Sequence, residues 1–201
     1  MPIFPYGEKE IEYLKSRDPI LGKAIDRFGP IQREVIPDLF AALVNSIAGQ
    51  QISSKAQETV WRRLQEKFDG VTLEAVQAAS LEEIQSCGLS MRKAGYIQKA
   101  AQRIGSGEIS LGALKTLPDE EVCRQLVKLD GVGVWTAEML MIFSMERPDI
   151  LSFGDSAILK GMGILYGLPA IDRAAFDRYK ALYSPYGTVA SLYIWAVANS
   201  A

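Results

Sequence analysis

Carboxylates must carry any acid–base chemistry in this sequence, because its 201 residues include no histidine. The absence of histidine excludes the Ser–His and Cys–His pairs of nucleophilic enzymes. The two cysteines, Cys87 and Cys123, are too few for a disulfide scaffold and fit a reducing cytosol. We do not expect thiolate or imidazole metal sites from this composition.

Asp155 is the carboxylate whose position indicates a specific task. It directly precedes apolar residues at helical spacing, Ile158, Leu159 and Met162, in a helix predicted to end at Gly167. This is the N-cap position, where an aspartate stabilises its helix by about 1 kcal/mol. The same helix N-terminus favours an ionised carboxylate, which can stabilise a developing positive charge or deprotonate a water molecule. Both roles stay open from the residues alone, and they are compatible.

A short turn with two glycines, Gly131 and Gly133, lies between two predicted helices in the stretch 129–137. Glycine reaches backbone conformations that other residues avoid, and it lets a chain approach another molecule closely. The second helix begins near Val134, so its first N–H groups and those of the turn point the same way and form a concavity suited to a phosphate. An ordinary corner between two helices is the alternative interpretation.

The overall charge does not indicate a nucleic-acid-binding protein, since the net charge is −2 and the isoelectric point is near 5.4. Between residues 87 and 107, however, the chain carries Arg92, Lys93, Lys99 and Arg103 and no acidic residue. This segment presents either a solvated helix face or a basic patch for phosphates.

The composition is that of a soluble globular protein, with 48% apolar and 23% charged residues. No apolar run is long enough to span a membrane, and the first residues lack the basic and apolar segments of a secretory signal. We therefore expect a cytoplasmic protein that makes no membrane contact.

Helical periodicity extends along the whole chain, and no run alternates between apolar and polar residues. The pattern therefore predicts an all-α fold. Start and stop signals predict one or two helices over 7–28, one opened by Pro37, one begun by a capping box of Ser54 and Gln57, short helices starting at Thr72 and at Ser80 (a capping box with Glu83), a basic helix from about Met91, one from Pro118 and Asp119, and final helices over 172–183 and 188–199.

Four stretches together resemble one protein family: residues 48–53 (AGQQIS), 88–94 (GLSMRKA), 131–137 (GVGVWTA), and Gly154–Asp155 followed by Ile158. On these residues the chain resembles the helix-hairpin-helix DNA glycosylases that have a Gly/Pro-rich loop and a catalytic aspartate. Within them it looks like the 3-methyladenine DNA glycosylase II, or AlkA, type. The resemblance covers about residues 39–195 and implies the short form without an N-terminal β-rich domain.

The resemblance implies two helical subdomains with a DNA-binding cleft between them. Residues 38–146 would form the central subdomain, with the helix-hairpin-helix motif at about 119–145. Residues 1–37 together with 147–201 would form the second subdomain from the N- and C-terminal helices.

The resemblance also implies roles for individual residues. Asp155 would be the catalytic carboxylate, and Gln51 would be the wedge inserted into the duplex. The base pocket would include Trp135, Trp195, Gln50 and Met139, where Met139 replaces an aromatic residue of the best-known relatives. DNA phosphates would be bound by Gly131, Gly133, Val134, Thr136, Arg92 and Lys93.

No cofactor is expected to be required. Relatives often hold a monovalent cation at the hairpin, so Na⁺ or K⁺ could be bound here by the main-chain carbonyls of Val127, Leu129 and Val132. The cysteine count excludes the iron–sulfur cluster of the endonuclease III relatives. Trp135 occupies the position where the strand-nicking relatives have a lysine, and a tryptophan cannot form their Schiff base.

The resulting expectation is a monomeric, monofunctional DNA glycosylase that flips alkylated purines out of double-stranded DNA and hydrolyses the N-glycosidic bond, in base excision repair. One alternative is a glycosylase of the same fold that removes uracil or hypoxanthine. Others are a non-catalytic helix-hairpin-helix DNA-binding module and a helical interaction protein with no DNA role.

Overall fold

The computed structural model describes residues 2–200, and within this range the regular structure is entirely α-helical apart from one isolated antiparallel bridge between Ile3 and Glu34. The predicted all-α fold is confirmed. The helices are α1 (Glu8–Arg17), α2 (Pro19–Phe28), α3 (Leu39–Gly49), α4 (Ser54–Lys67), α5 (Leu73–Ala78), α6 (Leu81–Gln85), α7 (Met91–Gly105), α8 (Leu111–Leu114), α9 (Asp119–Leu126), α10 (Val134–Phe143), α11 (Ser156–Tyr166), α12 (Arg173–Tyr183) and α13 (Gly187–Asn199).

Short polar side chains begin most of these helices by accepting bonds from the first free N–H groups. The capping box predicted at Ser80 is confirmed: its Oγ accepts from the N–H of Glu83 at 3.1 Å, and its own N–H donates to the Glu83 carboxylate at 2.8 Å. The box predicted at Ser54 is wrong. Ser53 caps α4 instead, through the N–H of Ala56 at 3.3 Å.

The chain divides into two compact units, one of residues 1–35 with 146–201 and one of residues 36–145. The sequence placed these boundaries at 38 and 146. The second unit is therefore one continuous segment, whereas the first is assembled from both ends of the chain.

In the first unit, α13 is the most deeply buried helix and α11 packs along it. Their close approach depends on Gly161, because a Cβ at this position would lie 2.3 Å from the carbonyl oxygen of Ile194. A buried polar cluster lies at the start of α2: Asp18 accepts from the hydroxyls of Tyr166 at 2.6 Å and Tyr183 at 3.1 Å.

In the second unit, α3 supplies much of the core and packs against α4, α7 and α10. Helices α9 and α10 are packed against each other and form the two arms of a hairpin around the glycine-containing turn. The predicted helix–turn–helix at this place is present.

Candidate functional site

Asp155 begins α11 as its N-cap, as predicted. Its Oδ1 accepts from the N–H groups of Ala157 at 2.9 Å and Ile158 at 3.0 Å. The residue is buried, with 6% of its surface exposed. Helix α11 ends at Gly167, which has a left-handed backbone conformation (φ +64°) that glycine adopts without strain.

The connector before Asp155 is held by two hydroxyls of α13 that the sequence analysis missed. Thr188 donates to the carbonyl of Arg147 at 2.6 Å and accepts from the N–H of Ile150 at 2.9 Å. Ser191 donates to the carbonyl of Ile150 at 2.9 Å. Both hydroxyl residues have no exposed surface, so the connector is fixed to the helix that also carries Trp195. Two hydroxyls within an otherwise apolar helix were the available signal.

Asp149 strengthens the same attachment at the start of α13. Its carboxylate accepts from the hydroxyl of Ser184 at 2.6 Å and from the N–H of Gly187 at 3.0 Å. Trp195 is half-buried on this helix. The first unit thus holds Asp155 and Trp195 on two helices that are packed together.

In the hairpin, only one of the two glycines is required by the backbone. Gly131 has φ +80°, and a Cβ there would lie 2.3 Å from the ring of Tyr96. Gly133 has φ −89°, and a Cβ there would meet nothing within 4 Å. The positive φ and the nearby Tyr96 ring therefore explain why residue 131 is a glycine. At Gly133 the absence of a side chain leaves open space outside the turn.

The first turn of α10 faces solvent without a side-chain cap. Val134 is 58% exposed and Trp135 is 44% exposed, whereas the side chain of Thr136 is buried. Met139 lies half-buried one turn after Trp135. Since the Thr136 hydroxyl is inside, a phosphate contact at this residue would have to come from the backbone N–H.

The loop after α3 presents Gln51 to solvent. Gln51 has φ +57°, a conformation that is uncommon for a residue with a side chain. Its neighbour Gln50 is half-buried, and its Nε2 donates to the carbonyl of Gly131 at 2.8 Å. The structure thus directs the Gln50 amide nitrogen to the hairpin.

The basic residues of α7 differ most from the expected phosphate patch. Lys93 donates to the carbonyls of Ala48 at 2.9 Å and Gln50 at 2.6 Å. Burial lowers the pKa of Lys93, and the neighbouring charge of Arg92 lowers it further. Arg92 itself is exposed.

Farther along α7, two more cations bind the hairpin rather than facing away from it. Lys99 forms an ion pair with Asp130 at 3.0 Å. Arg103 donates to the carbonyl of Lys128 and pairs with Glu108. A solvated patch of four cations is therefore not what the helix presents.

Of the carbonyls expected to hold a monovalent cation, those of Leu129 and Val132 belong to the turn, and that of Val127 belongs to the C-cap residue of α9. The carbonyl of Leu129 already accepts from the N–H of Val132 at 3.1 Å. A carbonyl oxygen has a second lone pair, so this bond leaves room for a cation.

A cavity of about 770 Å³ lies elsewhere in the first unit, between the segment 3–8 and residues 25–32. Neither Asp155 nor Trp195 lines it. Within residues 2–200, no helix is long and apolar enough to cross a membrane.

Residues 44–182 match the model of the HhH-GPD superfamily of base excision DNA repair proteins. The chain is 28% identical to DNA-3-methyladenine glycosylase 1 of Schizosaccharomyces pombe over 186 residues, which is 90% of this chain and 82% of that protein.

Two solved structures are similar over nearly their whole length. The crystal structure of a DNA-3-methyladenine glycosidase from Bacillus halodurans has a TM-score of 0.86 and 32% identity, covering 100% of this chain and 94% of that one. The 3-methyladenine DNA glycosylase of S. pombe in complex with abasic DNA has a TM-score of 0.81 and 26% identity, covering 94% and 95%.

Proposed function

Because this chain belongs to the HhH-GPD superfamily of base excision DNA repair proteins, we propose that it is a DNA glycosylase that removes alkylated purines such as 3-methyladenine and 7-methylguanine. The observation that carries the proposal is the buried Asp155 carboxylate at the N-terminus of α11. The names of the similar proteins reported above support the substrate class.

Asp155 acts on the sugar of the flipped nucleotide. When the N-glycosidic bond breaks, its electron pair leaves with the base and positive charge develops at C1′. A fixed carboxylate beside this carbon stabilises the charge. Water then adds to C1′ and gives a proton to the carboxylate, which leaves a free base and an abasic sugar. Oδ1 accepts two backbone N–H bonds and so fixes the orientation of the group.

In this proposal the flipped base is contacted by Trp135 and Met139 of the second unit and by Trp195 of the first. Purines alkylated at N3 or N7 carry positive charge, and a desolvated cation over an indole gains about 2 kcal/mol. The thioether of Met139 is polarizable and packs well on a ring. Gln50 is left out of the pocket because its amide nitrogen already binds Gly131.

In this proposal the hairpin binds the undamaged part of the duplex. Backbone N–H groups of the turn and of the first turn of α10 receive a phosphate, and the open space outside Gly133 admits it. Arg92 adds a side-chain contact, and Gln51 enters the gap left by the flipped base. A cation at the carbonyls of Val127, Leu129 and Val132 would add positive charge at the same turn.

The proposed enzyme is monofunctional, because Trp135 cannot attack the sugar covalently as a lysine would. It therefore leaves the strand intact at the abasic site. We also propose that the active form is a monomer, which sedimentation in the presence and absence of a short duplex would test.

The deciding experiment measures free bases released from methylated duplex DNA by the wild-type chain. Release of methylated purines, with no cleavage of the abasic strand, is the expected result. If the chain released only uracil or hypoxanthine, from duplexes that contain them, these bases and not alkylated purines would be its substrates. Salt-sensitive duplex binding without release of any base would show a non-catalytic binding module instead.

A further inference from the structure

Four residues on one side of α7 contact the loop at 48–53 and the hairpin turn in succession. Lys93, Tyr96, Lys99 and Arg103 follow one another at spacings of three or four residues, so they share a face of the helix. Lys93 binds the loop, whereas the other three contact residues 128–131 of the hairpin. Helix α7 therefore lies along both segments that the proposed function assigns to DNA.

The contact at Lys93 stabilises the end of α3. The last carbonyls of a helix have no partner within it and carry partial negative charge. The Lys93 ammonium donates to one of these carbonyls, that of Ala48, and also to the carbonyl of Gln50, which lies just beyond the helix. The loop is thereby held immediately before Gln51.

The side chain of Gln50 continues the connection to the hairpin. Its Nε2 bond to the Gly131 carbonyl joins residues 81 positions apart in the chain. Tyr96 also packs close to Gly131, where a Cβ would lie 2.3 Å from its ring. The loop and the turn are thus bound directly to each other and also to the same helix.

Two further observations concern Lys93 and the loop that it holds. Burial lowers its pKa, so folding disfavours the charged form that the residue has at neutral pH. Gln51, in turn, has a backbone conformation that persists only where the surrounding structure imposes it. Pairing and stacking favour the return of the flipped base into the duplex, so a wedge must be held firmly enough to keep it out.

We propose that Lys93 is a positioning residue that fixes the Gln51 loop and, together with Gln50, joins it to the hairpin, so that the duplex wedge and the phosphate anchor act as one rigid element. This inference rests on the proposed function, because it takes Gln51 as the wedge. It differs from the phosphate contact that the sequence suggested for Lys93.

The first test uses hydrogen exchange in the free protein and does not depend on any activity. In Lys93→Met, amides of residues 48–53 and 129–133 should exchange about tenfold faster, since charge-assisted bonds to both carbonyl sites are lost. Arg92→Met removes the same charge one residue away and should leave these segments unchanged. Lys93→Arg should restore slow exchange in both. Unchanged exchange in Lys93→Met would overturn the proposal, and so would faster exchange confined to the loop.

The second test measures base flipping with 2-aminopurine next to the lesion, at saturating protein. Lys93→Met should lower the flipped fraction and the single-turnover rate about tenfold, while affinity for undamaged duplex changes by less than about twofold because no phosphate contact is lost. Arg92→Met should weaken affinity and keep the flipped fraction. If Lys93→Met instead behaves like Arg92→Met, Lys93 is a phosphate contact and the proposal is wrong.

Failure of the proposed function is distinguishable from failure of this inference. A wild-type chain that releases no base overturns the glycosylase proposal, and the hydrogen-exchange result still decides whether Lys93 couples the loop to the hairpin. The coupling is supported if Lys93→Met has the unfolding transition of the wild type but exchanges faster in both 48–53 and 129–133. This holds whether or not the wild-type chain releases bases.

Discussion

Asp155 has a structural and a chemical task, and two substitutions separate them. Asp155→Asn keeps an Oδ1 that can accept the bonds from Ala157 and Ile158, now at 2.9 and 3.0 Å, but removes the charge. We expect the free energy of unfolding to fall by about 1 kcal/mol, since asparagine and aspartate cap helices almost equally while the charge–dipole attraction is lost. Asp155→Ala should cost about 2 to 3 kcal/mol, because it leaves buried N–H groups unpaired.

Activity should not distinguish the two variants, since both substitutions remove the carboxylate. Loss of one electrostatic contact to a transition state typically costs a factor of about 10² to 10³, and loss of the proton acceptor adds to it. We therefore expect both variants to release methylated bases at least about 10³-fold more slowly under single-turnover conditions at saturating protein. Urea unfolding of the same preparations gives the stability scale.

Asp172 offers a matched control in the same unit. It is exposed and caps α12 by accepting from the N–H of Ala175 at 2.7 Å, but it lies in no proposed site. Asp172→Asn should have the same free energy of unfolding as the wild type and should release bases at the same rate. The reasoning about Asp155 is refuted if Asp155→Asn keeps activity within about tenfold of the wild type, which would make the residue a cap alone. It is also refuted if Asp155→Asn is as unstable as Asp155→Ala.

The remaining predictions concern the hairpin, the pocket and the buried tyrosines. Gly133→Asp should weaken binding to all duplexes at least about tenfold while the thermal transition stays near that of the wild type, because the added side chain meets open space and repels phosphate; equal affinities in a binding titration would remove this turn from the interface. Borohydride should trap no covalent DNA adduct, because Trp135 has no amine; a trapped adduct on a denaturing gel would disprove monofunctionality. Burial raises the pKa of Tyr166 and of Tyr183 well above the ordinary value, so their contribution to stability is complete below about pH 10 and is lost as the pH rises further; an equal loss of stability above pH 10 in a chain carrying both Tyr166→Phe and Tyr183→Phe would contradict this.

Features set by neighbouring residues in the chain were predictable. The N-cap of α11 at Asp155, the capping box at Ser80 and the start of α10 at Val134 follow from side chains within a few residues of the structure that they form. The same local logic failed at Ser54, where the adjacent Ser53 offers an equivalent hydroxyl one residue earlier. Two serines in a row leave the choice to the path of the loop before them.

Features set by distant residues were not predictable in this way. A cation on a helix face has the same local pattern whether it meets a phosphate or a carbonyl, and Lys93 meets carbonyls 43 and 45 positions away. The amide of Gln50 likewise finds its partner 81 positions along the chain. The hydroxyls of Thr188 and Ser191 resemble ordinary helix residues until the connector at 147–150 lies against them. Hydrogen bonds of this range depend on packing, which a local pattern does not contain.

The division of the chain has a consequence for the order in which the protein is made. Residues 36–145 are continuous, so every contact within that unit can form once residue 145 has left the ribosome. The other unit must wait for α13, which packs against both α11 and α2. During synthesis the hairpin is thus completed before the helix that fixes the connector to Asp155 exists. The proposed DNA-binding turn is therefore complete in a nascent chain before α13 fixes the connector to Asp155, the proposed catalytic carboxylate.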